Sequence, residues 1–223
     1  MIIEIDDAGT GSPVGGIVIG ALKNGRFSYK VIPVKLFRTE RNESIKKVKE
    51  AVLEAVLELL NMLDFNQEED FVRICRGDIF SLAHSRFDEL EFHWETAKIE
   101  SKLQDLVETA YDFHLVELGV PRMLVKRLLD YRHYVVELLK WVVIDMKNRE
   151  RFVKTRFPIW RHEWVHAELS FEWETARKNA YCIECGEKIE RGEKRVTVII
   201  KTPKRRFITY LHETCADKLG VVK

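Results

Sequence analysis

The sequence predicts an α/β fold for the first half of the chain, followed by a helical extension and a small cysteine-bearing module. Three observations carry that expectation. Asn24-Gly25 separates two strand-like runs, apolar residues recur at helical steps between residues 42 and 63, and two close pairs of metal-ligand residues lie in the C-terminal region.

Residues 1–6 (MIIEID) read as a short buried strand that enters the loop DDAGTGSPVGG. The apolar run 16–22 and the stretch 27–34 flank Asn24-Gly25. Both turn residues tolerate the positive φ of a tight hairpin, so these two strands are expected antiparallel. Ile45, Val48, Val52, Val56, Leu59 and Leu63 then form one apolar stripe at three- and four-residue steps, a helix over 42–63. Residues 71–75 (FVRIC) form a fourth strand ended by Arg76-Gly77-Asp78, residues 79–85 a short helix, residues 90–94 a fifth strand and residues 96–118 a third helix. The order is β-β-β-α-β-α-β-α.

Residues 121–148 read as one long helix whose apolar face is wider than a surface helix requires. It is expected to cap the sheet or to bury against another subunit, which makes a homodimer through this segment a possibility. From 149 to 179 aromatic and basic residues interleave, Phe152, Lys154, Phe157, Trp160, Arg161 and Trp164 among them. Such a mixture either packs internally or stacks unpaired bases while neutralising phosphates. The expected domains are 1–118, 119–179 and 180–223.

The 223 residues can bury a sizeable core, and 37 Lys+Arg against 36 Asp+Glu leave the chain near neutral. A nucleic-acid partner would therefore need a local basic surface. The acidic start is unlike a signal peptide, and no apolar run approaches the roughly 18 residues of a membrane span, so a soluble cytoplasmic protein without a membrane partner is expected. The 33% charged content with few Gln and Asn suits a hot environment.

Cys182-Ile183-Glu184-Cys185-Gly186 is a two-ligand knuckle, and His212-Glu213-Thr214-Cys215 supplies a second pair. Three thiols and an imidazole grouped in this way suit tetrahedral zinc and leave no open position for catalysis. The remaining cysteine, Cys75, reads as a small core residue. Between the ligand pairs, KRVTVIIKTPKRRFITYL reads as a hairpin, basic at Lys194, Arg195, Lys201, Lys204, Arg205 and Arg206, that either tracks phosphates or is simply solvated. The whole segment resembles a treble-clef zinc finger.

Strand, then Asp6, then the turn Gly11-Ser12-Pro13-Val14-Gly15-Gly16 entering a second strand resembles the opening of a type 1 ribonuclease H over residues 1–118. The resemblance implies a mixed five-stranded sheet in which an acid ending the first strand and an acid ending the fourth lie side by side. Asp6 and Asp78 match those places, with Asp7 as the register competitor. It also implies an acid near the start of each of the first and last helices, for which Glu43 and Glu100 are the candidates. Glu100 flanks the stripe of Leu103, Leu106 and Ala110, whereas Glu43, like Glu50, faces away from its own stripe unless the helix begins at or just after it.

Such a cluster would hold Mg²⁺ or Mn²⁺, as two ions about 4 Å apart, to activate water against a phosphodiester. The layout is also similar to an archaeal single-strand-specific DNA exonuclease of this fold. Single-stranded DNA is thus the expected substrate, with RNA/DNA hybrids next. A catalytically silent nucleic-acid-binding module and a scaffold built on the long helix are the readings from other classes.

Overall fold

Along β1 (Ile2–Ala8) apolar and acidic residues alternate, so the strand offers a different surface to each side of a sheet. In the computed structural model, which describes residues 1–126 and 131–221, Ile3 and Ile5 are fully buried on one face while Glu4 and Asp6 belong to the other. β1 pairs antiparallel with β2 (Ile17–Lys23), and β2 antiparallel with β3 (Arg26–Ile32). Asn24 and Gly25 close that hairpin with φ of 51° and 79°.

α1 (Arg41–Met62) lays Val48, Val52, Val56 and Leu59 against Ile3, Ile5, Ile17 and Ile19. Ile45, expected on the same stripe, is 45% exposed. Ser44 takes the buried place in the first turn, its hydroxyl donating to the Leu36 carbonyl at 2.6 Å. β4 (Phe71–Cys75) runs parallel to β1 on the side away from β2. After a single helical turn at Asp78–Phe80, α2 (Ser81–Glu89) leads to β5 (Trp94–Ala97), parallel to β4. The result is a mixed five-stranded sheet of order β3-β2-β1-β4-β5.

The fifth strand lies later than residues 90–94. Those residues instead close α2: the Phe92 amide donates to the Phe87 carbonyl at 3.0 Å, and the Phe92 ring packs on Phe65 and Phe87. α3 (Lys102–Glu117) starts correspondingly later than expected and buries Leu103, Val107, Ala110 and Tyr111.

The chain divides into two compact units, Met1–His114 and Leu115–Lys223, so the boundary falls inside α3 rather than after residue 118. The second unit begins with α4 (Arg122–Lys126), α5 (Tyr131–Val143) and α6 (Met146–Arg149). The expectation of one helix over 121–148 falls partly on residues 127–130, outside the described residues. Within them it stops at Asp145, whose ψ of 55° is not helical. Leu138, Leu139, Trp141 and Val142 of this wide apolar face are buried in the single chain.

α7 (Pro158–His162) and the turn after it bury Trp160 and Trp164 at 2% and 0% exposure, so these rings are core and cannot stack bases. β6 (Glu168–Thr175), drawn from the expected linker, pairs with β9 (Lys194–Lys201), and β9 with β10 (Arg206–His212), in a three-stranded sheet of order β10-β9-β6. Residues 119–179 and 180–223 thus share one sheet. The short strands β7 (Ala180–Tyr181) and β8 (Lys188–Ile189) and helix α8 (Glu213–Lys218) complete the unit. Among the described residues, no helix is long and apolar enough to cross a membrane.

Candidate functional site

Asp6 and Asp7 lie within β1, paired with Gly20 and Ile19, rather than in the loop that follows. Successive strand residues face opposite sides, so Asp7 shares the α1 face with Ile3 and Ile5 while Asp6 takes the α3 face. That face is tight. A Cβ on Gly20, opposite Asp6, would lie 2.3 Å from Val107 Cγ1, so α3 settles there only because residue 20 is glycine. Glu108 follows Val107 and comes within reach of the Asp6 charge. The glycine-rich loop is held on the same helix, with the Tyr111 hydroxyl donating to the Val14 carbonyl at 2.6 Å and the Gly16 amide to His114 at 3.2 Å.

Asp6 is 7% exposed. Burial first, then the charges of Glu108 and Glu4, hold its carboxyl above the ordinary carboxylate range, against hydrogen bonds from the Asp7 backbone and the Cys75 side chain. The Cys75 thiol is pushed up to about 11 by burial and by Asp6 and Asp7. It is thus a proton donor to Asp6 and not a thiolate. Ligand atoms of Asp6, Asp7 and Cys75 lie within 4.8 Å of one another. Asp7 accepts from the Thr10 hydroxyl, and its Oδ1 lies 3.9 Å from where a Cβ on Gly77 would be, next to Asp78.

The other three expected acids do not join this group among the described residues. Asp78 has an 84% exposed side chain and pairs with Lys49 of α1 at 2.9 Å. Glu43 pairs with Lys47 one turn along α1 at 2.6 Å, and that contact lowers its pKa. Glu100 precedes α3 and pairs with Lys98. Its expected place on a helical flank assumed that the helix began at residue 96. Asp7, Glu108 and Cys75 are the residues that the acidic motif left out. Asp7 was visible as a register alternative, and Cys75 follows from the parallel pairing of Ile5 with Ile74. Glu108 had no signal beyond its place next to the buried stripe.

In the second unit Cys182, Cys185, His212 and Cys215 offer four ligand atoms within 4.8 Å of one another. Cys185 Sγ and His212 Nδ1 are 3.4 Å apart, near the edge of roughly 3.6 Å expected between a sulfur and a nitrogen on one tetrahedral zinc. His212 Nε2 lies 3.3 Å from the Lys188 carbonyl, and donation there leaves Nδ1 unprotonated and turned to the thiols. The knuckle closes through the Gly186 amide donating to the Cys182 carbonyl at 2.9 Å. Gly186 has φ of +79°, and a Cβ there would meet Pro121 at 3.0 Å. Burial and the neighbouring thiols push Cys215 up to about 12. A bound cation is what would release those protons, and the donor set fits zinc. Between the cysteines, Glu184 accepts from the buried Arg149 at 2.6 Å, while Arg149 also donates to the Trp141 carbonyl at 2.8 Å and lies over the Trp141 ring.

Of the six basic hairpin residues, Arg195 is buried against Glu174 at 2.8 Å and Arg205 pairs with Glu163 at 2.9 Å. Lys194, Lys201, Lys204 and Arg206 stand exposed. No protein-family model and no curated protein sequence matches the chain.

Proposed function

We propose that the first unit is a ribonuclease H-like, divalent-metal-dependent nuclease that hydrolyses phosphodiester bonds, with single-stranded DNA as its substrate, and that a treble-clef-like zinc site stabilises the second unit. The observation that carries this reading is the pair Asp6 and Asp7, side by side on the central strand of a β3-β2-β1-β4-β5 sheet, next to the turn after β4. The mixed sheet order β3-β2-β1-β4-β5 supports the resemblance of residues 1–118 to a type 1 ribonuclease H, while of the four expected acids only Asp6 lies in the cluster. The carboxylates fit Mg²⁺ or Mn²⁺, which take hard oxygen donors. A cation bound there would supply Lewis-acid stabilisation and a lowered water pKa.

The chain's own residues divide the remaining work. Asp6 and Asp7 bind from opposite faces of the strand end. Glu108 and Glu4 add negative charge that a cation relieves, which favours binding over an unfilled site. Cys75 holds the Asp6 carboxylate in place by a hydrogen bond from its thiol.

The test is end-labelled single-stranded DNA, with an RNA/DNA hybrid alongside, incubated with and without added Mg²⁺ or Mn²⁺. Cleavage that needs the cation and is lost in both Asp6→Asn and Asp7→Asn is expected, whereas cleavage surviving both substitutions sinks the assignment. A second reading, a catalytically silent nucleic-acid-binding module, is favoured by the separation of Asp78, Glu43 and Glu100 from Asp6. It predicts no cleavage of either substrate by the wild type.

A further inference from the structure

Two clefts flank β10. One, along its outer edge, is lined by Tyr181, Lys178, Lys140, Ile183, Ile208 and Tyr210. The other, over the sheet, is lined by Lys201, Lys204, Arg206 and Ile199, with Glu168 and Glu172 on the far strand. Pairing explains the second. Arg206 stands opposite Lys201 and Glu168, and Ile208 opposite Ile199 and Ser170, so these residues share the face turned from the buried Val196, Val198 and Ile200. Cys182 bridges to Tyr210, and the metal-ligand knuckle therefore lies along the outer edge of β10 at Tyr210, beyond Arg206 and Ile208.

Large apolar side chains are exposed there: Ile208 at 48% and Tyr181 at 43%. Lys201, Lys204, Arg206 and Lys178 lie around them, while Lys140, Arg195 and Arg205 are occupied by Glu137, Glu174 and Glu163. Flat or apolar groups between cations are what unpaired bases on a phosphate backbone require. Glu168 and Glu172 repel phosphates from the β6 side and confine the path to β10.

We propose that β10 and its two flanking clefts bind single-stranded nucleic acid, with Lys201, Lys204 and Arg206 on phosphates and Tyr181 and Ile208 against bases. The occupant rests on the nucleic-acid partner of the function proposed above, but the surface shares no residue with the Asp6 site.

Binding is measured by anisotropy of a fluorescent oligo-dT on the full chain carrying Asp6→Asn, zinc-loaded and without other divalent cations. The combined variant Lys201→Glu, Lys204→Glu, Arg206→Glu should weaken binding by more than about tenfold and flatten the log–log salt dependence by roughly 2, as expected for three lost single-strand phosphate contacts. Tyr181→Ala should weaken binding several-fold without changing that slope. Unchanged zinc content and circular dichroism exclude misfolding. Independently of any variant at this surface, photocrosslinking with iododeoxyuridine oligonucleotides should give adducts on peptides holding Tyr181 or Ile208.

Unchanged affinity in the triple variant, adducts confined to other peptides, or displacement of the DNA by polyglutamate at equal charge would overturn the proposal, the last in favour of an acidic protein partner. A track that binds in a chain that never cleaves leaves this proposal standing and removes the nuclease. Asp6-dependent cleavage with an inert track does the reverse.

Discussion

At Asp6 the strand pattern and the charge pattern pull in opposite directions. Alternation along β1 puts its carboxylate on the face covered by α3, where burial, Glu108 and Glu4 all disfavour the ionised form. For a carboxyl whose folded pKa is raised, the native state is favoured while the group is protonated, and that advantage is lost as pH rises through the folded pKa. Without added divalent cation, Asp6→Asn is therefore expected to stabilise the protein at neutral pH, by about 0.5–2 kcal/mol, while removing cation-dependent cleavage. The gain should shrink as pH falls through the carboxylate range, since the wild-type carboxyl is then already neutral. Urea unfolding of both proteins across that range measures it. A variant less stable at every pH would show that the Asp6 charge is satisfied by the fold itself and awaits no cation.

The elements around that residue were legible to different depths, for physical reasons. Asn24-Gly25 admits few structures other than a tight hairpin, and FVRIC is a compact β-rich run, so β2, β3 and β4 lie where their patterns put them. The run 90–94 alternates like a strand, but Phe92 serves the aromatic cluster with Phe65 and Phe87, a tertiary demand that periodicity does not encode. The same displacement moved the start of α3 and with it Glu100. What sets α3 is contact across the sheet, at Gly20. Gly20→Val is expected to destabilise the protein by about 1–3 kcal/mol, because Val107 and Phe27 leave no room for a side chain. Among folded molecules, cation-dependent cleavage should fall as well, since α3 carries Glu108 to Asp6. Thermal unfolding together with activity per folded molecule tests both effects. A stable, fully active Gly20→Val protein would mean that the α3 position is immaterial to the site.

At the scale of the molecule the two units depend on different sources of stability. The first has a continuous core between α1 and the sheet, with Ile3, Ile5, Ile17, Val52, Val56 and Leu59 fully buried or nearly so. The second buries Leu138, Trp141, Trp160 and Trp164, and its knuckle is tied to α5 through Arg149, which bonds Glu184 on one side and the Trp141 carbonyl on the other. The ligand pairs were plain in the sequence because spacing alone defines them. The Arg149 link was not, since it joins residues far apart in the chain. Four thiol and imidazole donors converge only in the folded chain, so a zinc ion held by them would couple its binding to folding. One zinc per chain is expected by elemental analysis, falling to none in Cys182→Ser with Cys215→Ser. Stripping the metal from the intact protein should raise hydrogen exchange in β9, β10 and α8, and through Glu184 and Arg149 in α5 and α6. β1, β2, β4 and α1 should keep their protection, because their burial and hydrogen bonding lie within the first unit. Exchange rising equally in both units would show that the chain unfolds as one cooperative body, whereas no rise around Arg149 would show that the knuckle opens without loosening the helices it is bonded to.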